Sequence, residues 1–289
     1  TAQVSNYLIE VSNLSVAFGG EEVVSGVSFN VAEGQAMALV GESGSGKTVT
    51  ALSIPQLLPY PYASHAQGSI KLLGEELVGA GETKLLAVRG SEIGMIFQEP
   101  MTSLNPLQKI GYQVCEMLVQ QGTLGRKNVA ARARELFDLV GLDESVSVDK
   151  YPHELSGGQR QRVMIALALS LQPKLLIADE PTTALDVTIQ KQILELLKDL
   201  QTRMKMTLLL ISHDLAVVRS VADDVCVMKA GNIVEQGDAK AVFQTPTHEY
   251  TKNLLSAEFL SPPVELGNEA PEVIAQLDEV EVKYPVGRT

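Results

Sequence analysis

The sequence predicts an α/β protein with a mostly parallel sheet, and three observations support this prediction. From Leu175 onwards, short apolar runs alternate with helical patterns, as is typical of strands joined by crossover helices. The apolar run Ala36–Val40 leads directly into a glycine-rich loop and then into a helical stretch. The chain has 289 residues, 45% of them hydrophobic. It can therefore bury the core of one large or two modest domains.

The remaining elements follow in chain order. Short alternating apolar runs over residues 8–39 predict a small antiparallel sheet. Pro55 is expected to kink or shorten the helix after the glycine-rich loop. A helical period over residues 111–140 predicts a mainly helical subdomain, which we place at about 99–160. The other predicted elements are strands over 93–97, 175–178, 207–211 and 225–228, and helices over 156–171, 187–204 and 215–221.

Composition limits the function. With 35 acidic and 23 basic residues the net charge is -12, which disfavours general nucleic-acid binding, so a bound phosphate must be held locally. Cys115 and Cys226 match no metal or disulfide spacing, as suits a reducing compartment. The longest apolar stretch, residues 163–171, is far shorter than the roughly 20 residues needed to span a bilayer.

The glycine-rich loop has the spacing of a phosphate-binding loop. Its glycines let successive backbone N–H groups point into a cradle at a helix N-terminus, where the helix dipole favours anions. Lys47 is expected to reach the β- and γ-phosphates, and Thr48 to bind Mg²⁺. The alternative is an ordinary strand-to-helix turn, but the strand before and the helix after favour phosphate binding. The segment, called the phosphate loop below, reads Gly41-Glu42-Ser43-Gly44-Ser45-Gly46-Lys47-Thr48.

Two carboxylates, Asp179 and Glu180, end the apolar strand predicted from Leu175. Ligands of α/β proteins bind at this edge of the sheet. We expect Asp179 to hold Mg²⁺ and Glu180 to act as the general base that polarises the attacking water. Two acids after a strand can also form a solvated turn, but their combination with the phosphate loop favours the functional interpretation.

The segment Leu155-Ser156-Gly157-Gly158-Gln159 predicts a helix start that faces an anion. Ser156 and Gln159 alone are explained by a capping box, in which the two side chains satisfy free backbone donors. Capping does not require Gly157 and Gly158, which lower helix stability but allow a phosphate to approach the backbone closely. We therefore interpret the cap as part of a phosphate-binding helix start.

Taken together in this order, these motifs resemble the nucleotide-binding subunit of an ABC transporter. The resemblance runs from Leu8 to about Leu260. It implies a P-loop NTPase (RecA-like) core with an antiparallel β subdomain and a helical subdomain, and an ABC nucleotide-binding domain over residues 1–260. It also implies that the chain binds ATP and Mg²⁺.

The resemblance assigns roles to four further residues. Gln98 matches the glutamine that senses Mg²⁺ and links the site to the membrane partner, and His213 matches the switch that contacts the γ-phosphate. Asp186 matches the loop that communicates across a dimer near the nucleotide, and Phe18 matches an adenine-stacking aromatic. Each has a simpler alternative: a surface glutamine, a loop histidine, a helix cap at Asp186 and a core strand residue at Phe18.

Three segments resemble the ATPases of bacterial dipeptide and oligopeptide importers. Glu249 departs from that pattern, which usually has proline there, and the tail lacks the cysteine cluster of many members, so no iron–sulfur cluster is expected. The segments are residues 96–106, 151–164 and 246–251.

The resemblance implies a function and partners. Two cassettes would sandwich ATP, so one chain would hold two half-sites and power peptide import. The implied partners are a second ATP-binding cassette, in the same chain or separate, transmembrane permease subunits, and a periplasmic or extracellular substrate-binding protein. The chain would lie peripherally on the cytoplasmic face of the bacterial inner membrane and bind no nucleic acid.

Two alternatives differ in class. One is a soluble ABC-type ATPase that acts on ribosomes or DNA without membrane subunits, which the acidic balance disfavours. The other is a degenerate cassette that binds ATP but only regulates, which Glu180 and His213 disfavour.

The last residues change character. Residues 261–271 contain three prolines and little apolar periodicity, which predicts a linker. Residues 277–286 resemble the opening strand pattern of residues 8–18, so we expect residues 261–289 to be a linker and the possible start of a second cassette. An ordinary C-terminal strand is the alternative.

Overall fold

Two β-sheets form the framework of the protein. The computed structural model describes residues 7–98, 103–183 and 185–259. The strands are β1 (Tyr7–Phe18), β2 (Glu21–Ala32), β3 (Ala36–Val40), β4 (Ala63–Leu72), β5 (Glu75–Glu76), β6 (Ile93–Ile96), β7 (Leu175–Asp179), β8 (Thr207–Ser212), β9 (Asp224–Lys229) and β10 (Asn232–Asp238). An antiparallel sheet has the order β2-β1-β4-β5, and a six-stranded sheet has the order β10-β9-β3-β8-β7-β6. In the second sheet only the edge strand β10 is antiparallel.

Helices connect the strands of the six-stranded sheet and pack on both of its faces. Their bounds are α1 (Lys47–Ser53), α2 (Glu82–Val88), α3 (Ile110–Gln120), α4 (Val129–Leu139), α5 (Gly157–Leu169), α6 (Val187–Met204), α7 (Leu215–Val221), α8 (Ala239–Gln244) and α9 (Glu249–Phe259). Short 3-10 turns lie at Arg126–Asn128 and Pro152–Glu154.

The six-stranded sheet has a hydrophobic core on each face, because successive side chains of a strand point to opposite sides. In β3, Ala38 belongs to one core and Leu39 to the other. The first core includes Phe137 of α4 and Ile165 of α5, whereas the second includes Leu14 of the antiparallel sheet. The result is three layers, with the carboxyl ends of β3, β6, β7 and β8 along one edge.

The predicted α/β fold is confirmed. Strands β3, β6, β7, β8 and β9 begin and end within one residue of their predicted limits, and α6 and α7 have the predicted bounds. Helix α1 ends at Ser53, two residues before Pro55, which agrees with the expected shortening. Helices α3 and α4 follow the helical period over residues 111–140. The limits of the helical subdomain at about 99–160 stay a prediction.

The antiparallel sheet is larger than predicted. Strand β4 pairs with β1 along most of its length although its own sequence is polar. The pairing register shifts at Gly68, where the two backbones approach so closely that a Cβ atom would lie 2.5 Å from Leu14 Cα. Pairing with a buried neighbour therefore makes this segment a strand, whereas its own alternation does not indicate one.

The predicted linker and second-cassette start, residues 261–289, lie outside the described residues. Within the described ranges, no helix combines the length and the apolar character that crossing a membrane requires.

Candidate functional site

The phosphate loop joins β3 to α1, as predicted, and a positive φ together with close packing favours glycine at Gly41 and Gly46. Gly41 has φ 148°, and a Cβ atom there would lie 2.2 Å from the Met228 carbonyl oxygen. Gly46 has φ 98°, and a Cβ atom there would lie 3.2 Å from Val24 Cγ2. Ser43 and Gly44 are exposed at the tip of the loop. The loop thus packs against β9 of the six-stranded sheet at Gly41 and against β2 of the antiparallel sheet at Gly46, and its middle is exposed to solvent.

Lys47 turns back into the loop. Its Nζ atom donates hydrogen bonds to the carbonyl oxygens of Gly41 and Glu42, both at 2.8 Å, and lies 3.4 Å from Ser45 Oγ. Burial lowers the pKa of Lys47, and the nearby carboxylates, with Glu180 and Asp179 the strongest, act in the opposite direction. The ammonium group therefore lies inside the cradle that the loop forms.

Thr48 and Asp179 bring two oxygen atoms together beside the loop. Thr48 Oγ1 donates to Asp179 Oδ1 at 3.1 Å, and Asp179 is only 3% exposed. Burial raises the pKa of Asp179 to about 6. The Thr48 hydrogen bond opposes this shift, the Glu180 carboxylate reinforces it, and the Lys47 ammonium group opposes it. A hydroxyl and a carboxylate oxygen are ligands that Mg²⁺ accepts.

Side chains that follow three neighbouring strands meet at the carboxylate of Glu180. Its Oε2 atom accepts from Gln98 Nε2 at 3.1 Å and from Thr183 Oγ1 at 3.0 Å, while its Oε1 lies 3.1 Å from His213 Nδ1. Gln98 follows β6, Glu180 follows β7 and His213 follows β8. The structure therefore brings together three residues that the sequence predicts as catalytic.

Glu180 also has an unusual backbone. Its φ is 46°, in the left-handed region that non-glycine residues rarely occupy, and its N–H donates to the Ile211 carbonyl oxygen at 2.9 Å. Such a conformation costs about 1 to 3 kcal/mol and is typical of functional sites. The hydrogen bond to β8 holds it in place.

The segment 156–159 begins α5 as a complete capping box. Gln159 N–H donates to Ser156 Oγ at 3.3 Å, and Ser156 N–H donates to Gln159 Oε1 at 3.0 Å. Gly158 has a packing role within this chain, because a Cβ atom there would lie 2.9 Å from Ile189 Cγ2. Ser156 and Gly157 are exposed. Among the described residues, no hydrogen bond joins this segment to the phosphate loop.

Two residues predicted from the resemblance have local structural roles here. Asp186 caps α6 by accepting from the Ile189 N–H at 2.9 Å, as the simpler alternative predicts. Phe18 ends β1, half-buried, with its ring centroid 5.9 Å from that of Tyr62. Their roles towards a nucleotide or a second cassette stay predictions.

Sequence reasoning missed two residues at the site. Thr183 donates to Glu180, and its position three residues after the carboxylate, in a turn, was a usable signal. Tyr250 Oη accepts from the Glu42 N–H at 3.2 Å, across 208 positions of sequence. No local pattern indicates a contact over that distance.

The fold and the loop define an α/β nucleotide-binding protein of the P-loop class, and comparisons with known proteins agree. The family model described as "ABC transporter" matches residues 24–183. The chain therefore belongs to the ABC transporter family.

Two curated relatives are close in sequence. The chain is 53% identical over 284 residues to the peptidoglycan transport ATP-binding protein YejF of Agrobacterium fabrum, covering 96% of this chain and 52% of that protein. It is 51% identical over 255 residues to the oligopeptide transport ATP-binding protein OppD of Bacillus subtilis, covering 86% and 71%. The chain thus spans about half the length of the YejF protein.

A solved structure has the same fold. It is the dimeric post-hydrolysis state of the ATP-binding cassette MJ0796 bound to ADP and Pi, with a TM-score of 0.71 and 28% identity. The alignment covers 80% of this chain and 98% of that one. The predicted P-loop NTPase core is thereby confirmed.

Proposed function

We propose that this chain binds and hydrolyses ATP to power an ABC importer of peptides or peptide-like molecules. One observation carries the proposal: the Glu180 carboxylate, held by Gln98, Thr183 and His213, lies at the same sheet edge as the Thr48–Asp179 pair and Lys47. These are the parts that phosphoryl transfer needs, namely a phosphate cradle, oxygen ligands for Mg²⁺ and a base for water.

Binding begins at the phosphate loop. Backbone N–H groups of the loop and of the start of α1 would donate to the β-phosphate. Lys47 would exchange the carbonyl oxygens of Gly41 and Glu42 for phosphate oxygens, because a charge-assisted hydrogen bond to an anion is the stronger one. Phe18 would stack on the adenine.

The oxygen atoms of Thr48, Asp179 and Gln98 would hold Mg²⁺. Their chemistry fits this ion, which prefers oxygen ligands and retains several waters. When bound, the ion neutralises charge on the β- and γ-phosphates.

Glu180 would accept a proton from the attacking water, so that the water oxygen bonds to the γ-phosphorus as the bond to ADP breaks. One carboxylate oxygen accepts from Gln98 and Thr183, and the other lies beside His213, so these contacts restrict the rotation of the Glu180 side chain. His213 would then turn to the γ-phosphate. The products are ADP and inorganic phosphate.

A second cassette would complete the site. Ser156 and Gly157 at the start of α5 are exposed, and no hydrogen bond within the described part of the chain ties this segment to the phosphate loop. We infer that Ser156, Gly157, Gly158 and Gln159 face the γ-phosphate of the nucleotide held by a partner cassette. The partner is a separate subunit or a second half of a longer chain, and the length of the YejF relative supports the second arrangement.

Transport requires membrane partners. As the resemblance to ABC importers implies, the helical segment after Gln98 contacts transmembrane permease subunits, an extracellular or periplasmic protein supplies the substrate, and the chain lies on the cytoplasmic face of the inner membrane. The names of the relatives give two classes of cargo, oligopeptides and peptidoglycan material.

The ATPase proposal is tested by Glu180→Gln. Mg·ATP should still bind, while turnover in the assembled transporter falls by about 10²- to 10⁴-fold, the range for loss of a general base. Glu195→Gln, a change at an exposed position of α6, is the matched control and should keep full turnover. Full turnover in Glu180→Gln contradicts the assignment.

The transport proposal needs its own experiment. The tagged protein should co-purify with permease subunits, and cells that carry only the Glu180→Gln form should fail to take up labelled oligopeptide or labelled peptidoglycan fragments. The cargo that depends on the wild-type protein identifies the substrate class. Co-purification with ribosomes or DNA instead favours the soluble ATPase alternative.

A further inference from the structure

Tyr250 connects α9, the last helix in the described part of the chain, to the phosphate loop. It is the second residue of α9, and its hydroxyl oxygen accepts from the Glu42 N–H at 3.2 Å. The residue is 7% exposed, and the ammonium group of Lys229 lies 4.7 Å from its ring centroid. The hydroxyl is therefore the polar end of an otherwise packed ring.

The hydrogen bond falls on a peptide group that already has another partner. The Glu42 N–H belongs to the same planar peptide unit as the Gly41 carbonyl. That carbonyl oxygen accepts from Lys47 Nζ at 2.8 Å. One peptide unit is thus held at its N–H by Tyr250 and at its oxygen by Lys47.

Independent contacts fix the start of α9. The Glu235 carboxylate in β10 accepts from the N–H groups of Thr247 and His248 at 2.7 and 3.1 Å, and from the Thr247 hydroxyl at 2.8 Å. His248 Nδ1 in turn accepts from the Tyr250 N–H at 3.1 Å. Tyr250 therefore reaches the loop from a rigid base that does not include the loop.

We infer that Tyr250 is a positioning residue for the phosphate loop. The inference rests on the proposed function, in which Lys47 leaves the Gly41 oxygen to bind phosphate. Within the described ranges, Tyr250 is then the one side chain still hydrogen-bonded to the Gly41–Glu42 peptide unit. It keeps the Glu42 N–H turned towards α9 and so fixes the direction of the donors that follow in the loop.

The alternative is that Tyr250 only fills space in the core. Tyr250→Phe separates the two roles, because phenylalanine keeps the ring but removes the oxygen. Tyr250→Leu removes the ring as well. Tyr112→Phe, a change in α3, is the matched control for loss of a tyrosine hydroxyl.

Binding of Mg·ATP and of adenosine to the whole chain is measured by calorimetry, together with the thermal midpoint. We expect Tyr250→Phe to weaken Mg·ATP binding by about 3- to 10-fold and to leave adenosine binding unchanged, while the midpoint falls less than in Tyr250→Leu because the ring is kept. Tyr112→Phe should match the wild type in all three. Amide exchange of a peptide that contains Glu42 should be faster in Tyr250→Phe than in the wild type.

The outcomes separate the two proposals. If the wild type binds Mg·ATP and Tyr250→Phe binds it equally or more tightly, the inference is wrong and the proposed function stands. If the wild type does not bind Mg·ATP, both fail. If Tyr250→Phe lowers the thermal midpoint as much as Tyr250→Leu does, and weakens adenosine binding as much as Mg·ATP binding, Tyr250 is a packing residue only. Unchanged exchange at Glu42 also contradicts the inference.

Discussion

His213 Nδ1 lies 3.1 Å from Glu180 Oε1, and the two side chains differ sharply in exposure. The histidine side chain is 60% exposed, whereas that of Glu180 is 14% exposed. A solvent-exposed ring thus contacts one oxygen of a carboxylate whose other oxygen accepts from Gln98 and Thr183. The pair forms one unit, which leads to the first prediction.

We expect the effects of His213→Ala and Glu180→Gln on ATP turnover to be strongly non-additive. Each single change should lower ATP turnover by at least about 10²-fold, because residues that act as a unit lose their shared effect at the first substitution. The double variant should be little slower than Glu180→Gln alone, with Mg·ATP binding retained. Steady-state phosphate release by the assembled transporter gives the rates of the wild type, the two single variants and the double variant. Fully multiplicative losses would show that the two residues act independently.

Asp179 should lower the stability of the protein when no nucleotide or Mg²⁺ is bound. Burial raises its pKa from the ordinary 3.8 to about 6. Ionisation is therefore less favourable in the folded state, so this residue's contribution to stability falls as the pH rises from about 4 through 6. Asp179→Asn lacks that loss and should be more stable at pH 7.5 by about 1 to 3 kcal/mol.

Urea unfolding in EDTA at pH 4.5 and 7.5 measures this difference. The gap between wild type and Asp179→Asn should widen with pH. Asp199→Asn, an exposed change on α6, should leave the pH profile as it is in the wild type. A gap that is constant with pH would contradict the raised pKa.

Gly41→Ala should destabilise the fold as well as the site. The new methyl group would lie 2.2 Å from the backbone oxygen of Met228 at a φ of 148°, and backbone cannot move aside as a side chain does. We expect a loss of about 2 to 4 kcal/mol in the free energy of unfolding. Gly81→Ala is the control, since no described atom lies within 4 Å and its φ is -66°. If both variants unfold at the same urea concentration, the packing argument fails.

Lys47→Ala and Ser156→Arg should affect different steps. Loss of the Lys47 ammonium group should weaken ATP binding to the isolated chain. Ser156→Arg should leave that binding intact but block the ATP-dependent dimer in a Glu180→Gln background, because the bulky side chain stands where a partner's nucleotide is proposed to bind. Size-exclusion chromatography with Mg·ATP measures the dimer.

Ser156→Ala controls for the helix cap. It removes the hydroxyl that accepts from Gln159, at a cost of about 1 kcal/mol, but adds no bulk. It should therefore still dimerise. If Ser156→Arg and Lys47→Ala abolish binding to the isolated chain equally, the segment 156–159 is only structural and the sandwich arrangement is wrong.

The sequence by itself determined the phosphate loop, the Asp179–Glu180 pair at a strand end and the capping box at Ser156. These features are local: spacing over a few residues and the period of apolar side chains set them, so they can be predicted without knowing the fold. The resemblance added Gln98 and His213 as separate residues after separate strands.

Only the tertiary structure decided which of these groups meet. Gln98 and His213 reach Glu180 because parallel strands β6, β7 and β8 end at one edge, and the left-handed backbone at Glu180 aims its carboxylate between them. The polar strand β4 exists through its pairing with β1, and Tyr250 meets Glu42 across 208 positions. Such contacts arise from the packing of whole elements against one another, and no short stretch of sequence encodes the distance between two elements.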